Sequence, residues 1–170
     1  MRNIFLVGFM GVGKTSVGSA LAQKLNYKFI DLDKLIVEQE NFSIKDIFSK
    51  FGEDYFRDIE HKTLKTLINH TNTVIALGGG TFTFERNRDL IQRNGVSIWL
   101  DCDLEIILSR LSNDTSRPLY SNPKQMQELL SKRLSAYRQA NFTINVSNLT
   151  LDETINKTTY LIKNEIIFYQ

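Results

Sequence analysis

One cysteine, two prolines, one tryptophan and no long apolar run are all that this 170-residue chain offers of those features, and each scarcity excludes something. A lone Cys102 forms no internal disulfide and suits a reducing compartment; set in an apolar-acidic stretch, it reads as structural rather than nucleophilic. No run approaches the roughly 18 apolar residues that a bilayer-spanning helix needs, so no membrane partner is expected. The opening Met1-Arg2-Asn3-Ile4-Phe5-Leu6-Val7-Gly8 has too short an apolar stretch, and no small-residue cleavage site, for a secretory signal. It reads as a first strand, and a cytoplasmic location is expected. A net charge of +2 without any Lys/Arg cluster excludes a nucleic-acid surface. His61 and His70 stand apart from any spaced metal ligands and are expected at the surface, whereas Trp99 and its apolar neighbours belong to a core.

What is present is 42% hydrophobic, enough for one globular domain over residues 1–170, and a monomer is expected. Short apolar runs alternate with segments of helical period, the pattern of a parallel sheet covered by helices. Strands are expected at Asn3 to Val7, Lys28 to Asp31, Thr73 to Leu77, Val96 to Leu100 and Thr143 to Val146. The first and fourth are nearly continuous apolar runs, as strands buried on both faces should be. Val17, Leu21 and Leu25 form a helical stripe. Ser43, with Asp46 three residues on, caps a helix bearing Ile44, Ile47, Phe48 and Phe51, and Phe56, Ile59 and Leu67 continue it after Gly52. A last helix places Leu151, Ile155, Ile162 and Ile166 on one stripe. The polar segment of about 111–124 holds both prolines, Pro118 and Pro123, and is expected to be a mobile lid.

Gly8-Phe9-Met10-Gly11-Val12-Gly13-Lys14-Thr15 satisfies the phosphate-loop pattern in full, after a strand and before a helix. A chance match in a chain this long has a probability of about 0.5% at average residue usage. Glycines let the backbone wrap phosphates and aim N–H groups inward at a helix N-terminus. ATP and Mg²⁺ are therefore expected. Gly8, Gly11, Val12, Gly13, Lys14, Thr15 and Ser16 would hold the nucleotide, with Lys14 on the β- and γ-phosphates and the Thr15 hydroxyl on the metal.

The acceptor side rests on shorter signals. Asp31-Leu32-Asp33 ends the second strand, and two-residue spacing in extended chain turns both carboxylates toward the crevice outside the strand ends. One would serve the Mg²⁺ shell and the other an attacking hydroxyl; an N-cap role for the acid pair is the competing explanation. Gly78-Gly79-Gly80 follows the third strand and would let a ligand lie on the backbone.

In that order and spacing, the phosphate loop, Asp31-Leu32-Asp33, Phe56-Arg57-Asp58-Ile59-Glu60, Gly78-Gly79-Gly80, Arg117-Pro118-Leu119 and Arg133 with Tyr137 resemble the shikimate kinases over essentially the whole chain. The resemblance implies a three-layer α/β/α P-loop fold of nucleoside monophosphate kinase type, with a five-stranded parallel sheet and a lid. It implies phosphorylation of the 3-hydroxyl of shikimate by ATP, in aromatic amino acid biosynthesis. By position, Asp33, Lys14 and Arg117 would be catalytic, and Arg117 would also close over the transferring phosphoryl group. Asp33, Arg57, Glu60, Gly78, Gly79, Gly80 and Arg133 would bind shikimate, within and beyond a helical segment of about 32–61; Thr15 and Asp31 would serve the metal. Arginine suits a carboxylate because its donors form a planar, bidentate fork. Arg57 and Glu60, three apart on a helix, share a face. Asp58, where many relatives have a basic or other polar residue, is expected to face solvent. Asn145-Val146-Ser147-Asn148-Leu149-Thr150, the expected adenine loop, lacks an arginine that some relatives carry. Two other functions fit the loop alone: a kinase of another hydroxy-carboxylate such as gluconate, and a non-catalytic nucleotide-binding module.

Overall fold

A computed structural model describes residues 2–112 and 122–166. Its centre is β1 (Asn3–Val7), five residues all buried, as the continuous apolar run requires. β3 (Thr73–Ala76) pairs with it on one side and β4 (Gly95–Asp101) on the other; β2 (Lys28–Asp31) and β5 (Phe142–Asn145) form the edges. The order β2-β3-β1-β4-β5 is parallel throughout, with Ile4 opposite both Val74 and Val96. The chain leaves β1 toward one edge and later crosses to the other, so the crevice outside the end of β1 is the topological switch point.

Helices cover the sheet. α1 (Lys14–Leu25) packs on β2 and β3 and against α7 (Leu151–Leu161), while α4 (Glu85–Asn94) packs on β4. α2 (Leu32–Glu40) lies against α3 (Ile44–Leu67). The Ser43 cap of α3 is present, its hydroxyl accepting from Asp46 N–H at 3.1 Å. At Gly52 (φ 85°, ψ 172°) the backbone leaves helical geometry, so α3 is two helices across a kink. α5 (Leu104–Ser112) and α6 (Pro123–Tyr137) flank the expected lid. The ends of the expected segment are helical: Leu111 belongs to α5, and Asn122 caps α6, accepting from Lys124 and Gln125 N–H with Pro123 in the first turn. Residues 113–121, with Arg117 and Pro118, lie outside the described residues.

The stripe expected on the last helix differs in kind. Ile155 and Ile162 are buried as expected, but Leu151 is 47% exposed and the buried face of α7 is completed by Thr154, Thr158 and Thr159; the Ile166 side chain lies outside the described residues. The three threonine hydroxyls donate to carbonyls four residues back, Thr158 to Thr154 at 2.7 Å, so they enter the core satisfied. Cys102 is buried, its thiol pushed up mainly by that burial, as fits a structural residue. Trp99 is in the core, His70 is exposed, and His61 is half-buried with Nδ1 2.6 Å from Asn87 Oδ1. No helix among the described residues is long and apolar enough to cross a membrane.

Candidate active site

At the end of β1 the chain turns through the glycine loop into α1. Gly13 caps that helix with φ 101°, and nothing lies within 4 Å of where its Cβ would be; the backbone angle, not crowding, requires glycine there. No side chain caps α1, so its first N–H groups and the positive end of its dipole are left to an anion. Lys14 Nζ folds back over the loop, donating to the carbonyls of Gly8 at 2.8 Å and Phe9 at 2.9 Å. Each element of a phosphate cradle is therefore in place.

Beside it, the Thr15 hydroxyl donates to Asp31 Oδ2 at 2.6 Å. The other oxygen, Asp31 Oδ1, accepts from Lys34 N–H at 3.2 Å and caps α2. Asp31 is therefore a cap through one oxygen, and its other oxygen, beside the Thr15 hydroxyl, is compatible with a metal-side role. The Thr15–Asp31 oxygens are hard donors adjacent to the cradle, and Mg²⁺ typically takes one or two protein oxygens and completes its shell with water and phosphate, so they fit that ion.

The extended Asp31-Leu32-Asp33 geometry is corrected. β2 stops at Asp31 and the chain becomes helical at Leu32, because Asp31 acts as the cap; Asp33 sits in the first turn of α2. Helical curvature nonetheless brings both acids to one cleft of about 440 Å³, whose walls also include Lys14, Thr15, Gly79 and Arg110.

The glycine triplet gathers the remaining residues. A Cβ on Gly78 would lie 2.6 Å from Asp33 Oδ1, 2.9 Å from Thr81 Oγ1 and 3.1 Å from Glu60 Oε1. On Gly79 it would lie 3.1 Å from Arg133 Nη1 and 3.5 Å from Met10 N of the phosphate loop. On Gly80 it would lie 2.8 Å from Arg57 Nη2. None of the three has positive φ, so the triplet is required for close approach and not for backbone conformation. The space it leaves is occupied by protein side chains, a use beyond the ligand contact expected from sequence.

Arg57 Nη1 donates to Glu60 Oε2 at 3.2 Å, the expected pair, and its Nη2 to Glu53 Oε1 at 3.0 Å, which the motif did not suggest. Its guanidinium also faces the rings of Phe56, Phe84 and Phe48, with centroids at 5.0, 5.1 and 5.8 Å. Glu60 is fully buried and accepts from the Thr81 hydroxyl at 2.6 Å. Burial pushes its carboxyl up; the Arg57 charge and the Thr81 hydrogen bond oppose this, and the neighbouring Asp33 charge adds to it. Asp58 faces solvent as expected and pairs there with Arg86 at 3.0 Å. On α6, Arg133 lies over the Phe9 ring at 5.6 Å, and its buried Nη1 has no hydrogen-bond partner among the described residues.

Residues missed from sequence are Thr81 and Arg110. Arg110 Nη1 donates to the Val12 carbonyl at 3.3 Å, and the side chain lines both the cleft and an adjoining pocket of about 270 Å³. That pocket runs from Val12 and Val17 to Val146 and Leu149, so the expected adenine loop does form one of its walls. Thr150 at the end of that loop is a capping-box residue of α7. No local pattern marks Arg110, since an arginine in a last helical turn reads as a dipole partner.

A parallel sheet with an anion cradle at its switch point and an acid-lined acceptor cleft defines a P-loop phosphotransferase. The chain belongs to the shikimate kinase family, whose model matches residues 10–163. The shikimate kinase of Sulfurihydrogenibium sp. (strain YO3AOP1) is 44% identical over 96% of this chain and 99% of its own length. That of Persephonella marina is 42% identical over 98% of both. Among solved structures, the shikimate kinase from Acinetobacter baumannii in complex with shikimate superposes with a TM-score of 0.90 at 36% identity, covering 98% of this chain and 96% of that one.

Proposed function

We propose that this chain phosphorylates the 3-hydroxyl of shikimate with ATP, giving shikimate 3-phosphate and ADP on the route to chorismate and the aromatic amino acids. The observation that carries the reading is the meeting of Asp33, Arg57 and Arg133 around one glycine turn that also abuts the phosphate loop at Met10. Phosphoryl transfer asks the protein for positioning and charge stabilisation more than for covalent chemistry, and each residue has such a task.

The backbone of Gly8 to Ser16, including Gly11, Val12 and Gly13, wraps the phosphates, and Lys14 supplies a cation to the β- and γ-oxygens. Thr15 and Asp31 hold Mg²⁺, which when bound neutralises charge on those oxygens. Arg57 and Arg133 take the shikimate carboxylate, with Glu60 orienting Arg57 through the contact at 3.2 Å. Asp33 accepts a hydrogen bond from the attacking hydroxyl and aligns it with phosphorus. Gly78, Gly79 and Gly80 complete the pocket with backbone. Arg117, outside the described residues, is assigned to the transferring phosphoryl group by family position. Val12, Val17, Val146, Leu149 and Arg110 would surround the adenine.

A cytoplasmic monomer is part of the same proposal. A single buried thiol suits a reducing compartment, and among the described residues the large exposed apolar side chains are divided between α3 (Phe51, Tyr55) and α7 (Leu151, Tyr160).

A coupled ADP-release assay with shikimate, gluconate, nucleoside monophosphates and no acceptor tests the reading. ADP release with shikimate alone is expected. Release with gluconate alone would move the acceptor, and silence with every acceptor would leave only nucleotide binding.

A further inference from the structure

Tyr137 is the last residue of α6 and 1% exposed, yet its hydroxyl is not idle: it donates to the Gly79 carbonyl at 2.5 Å. It lies one helical turn beyond Arg133, with which its side chain also interacts. Its ring packs on the Trp99 indole of β4, centroids 5.9 Å apart. One buried side chain therefore touches the sheet, the substrate-side helix and the glycine turn. Two functional groups meet at that turn: Arg133 Nη1, 3.1 Å from where a Gly79 Cβ would be, and the phosphate loop at Met10 N, 3.5 Å from the same point.

The peptide unit is planar and trans, so fixing the Gly79 carbonyl also fixes the direction of the Gly80 N–H, which points the opposite way within the same plane. Gly80 is the residue against which Arg57 lies, at 2.8 Å from the position of a Cβ. Glycine has the widest backbone freedom of any residue, so three in succession need an external anchor to hold one conformation. The Thr81 and Thr83 N–H groups close the turn internally onto Gly78 and Gly80 carbonyls, whereas the Gly79 carbonyl is tied from outside by Tyr137. Burial holds the phenol protonated, its pKa pushed up to about 12, so it remains a donor at every working pH.

We infer that Tyr137 is a positioning residue for the acceptor site: its hydroxyl locks the Gly79–Gly80 peptide in register with Arg133, and so sets the carboxylate-binding geometry without itself touching the nucleotide. This rests on the shikimate kinase reading above.

The test is Tyr137→Phe, which keeps the ring on Trp99 and removes one hydroxyl, beside Thr158→Val, which removes a buried hydroxyl bonded to the Thr154 carbonyl outside the acceptor site. Y137F should raise the shikimate KM about tenfold, with the Kd for ATP within twofold of the parent, as expected for loss of one buried hydrogen bond. T158V should leave the shikimate KM unchanged. KM does not depend on the folded fraction, so partial unfolding of either variant cannot imitate the result. A Y137F shikimate KM within twofold of the parent, or an equal rise in T158V, would overturn the inference while leaving the activity standing. An unmodified chain that does not turn over shikimate would remove both.

Discussion

Arg57 lies so close to Gly80 that a Cβ there would sit 2.8 Å from Nη2 and 2.9 Å from Nη1. Gly80 has ordinary right-handed angles, φ −98° and ψ −14°, so any residue could adopt its backbone. What Gly80 supplies is absence of volume, and the guanidinium occupies that volume.

Substitution within the triplet should therefore separate substrate binding from turnover. Gly80→Ala displaces Arg57 and should raise the shikimate KM; Gly78→Ala crowds Asp33 Oδ1, 2.6 Å from the new carbon, and should lower kcat. A misplacement near 1 Å costs about 10²-fold in kcat/KM, and ATP binding should be unaffected in both. Steady-state kinetics on the pair check this, and identical patterns would count against the division of roles.

Arg133 carries a buried Nη1 with no hydrogen-bond partner among the described residues. An unmet buried donor costs about 1–3 kcal/mol, which a ligand carboxylate would relieve. Arg133→Lys, lacking the planar fork, should weaken shikimate binding by at least about tenfold and leave ATP binding unchanged by titration calorimetry. Equal loss of both would show that the residue serves the nucleotide.

Asp31→Asn keeps a capping oxygen for Lys34 N–H but replaces the anionic oxygen beside Thr15. The expected outcome is an unchanged melting temperature with a raised Mg²⁺ requirement, read by titrating activity against the metal. A fall in stability with normal Mg²⁺ dependence would reduce Asp31 to its cap.

Glu60 gives a pH signature. Its carboxyl is raised, first by burial, so between the ordinary value of 4.5 and its raised value the folded chain holds a proton that the unfolded chain has released. Such a group stabilises fully below 4.5, and the contribution fades as pH rises through the raised value. Glu60→Gln has no such titration, so the stability of the parent minus that of the variant should fall as pH increases across this window. Urea unfolding of both proteins over about pH 4 to 8 measures it. A difference that grows with pH would mean that Arg57, at 3.2 Å, outweighs desolvation.

Much of the molecule was readable from residue pattern. β1 and β2 occupy the segments expected of them, and the other three strands differ by a residue or two at their ends, where ladder pairing rather than side-chain type sets the limit. The Ser43 cap and the break at Gly52 are likewise local matters. Three readings fell short, two because a cap or a hydrogen bond inside the helix overrides the apolar pattern and one because a partner distant in sequence decides it. Asp33 is helical because Asp31 caps α2; α7 buries threonines because their hydroxyls find carbonyls within the helix; Arg110 serves the cleft only because α5 lies across Gly11, where a Cβ would be 3.0 Å from Leu111.

By itself the sequence determined the cradle, since glycine angles, a following helix and Lys14 are fixed by neighbours within eight residues. It determined the parallel sheet as well, through apolar runs that only burial on two faces explains. Tertiary structure alone decided that residues from α2, α3 and α6 converge on Gly78, Gly79 and Gly80, with Tyr137 tying the turn in place. The physical reason is that close approach depends on the volume left between elements far apart in the chain, and no spacing rule within one element encodes that volume.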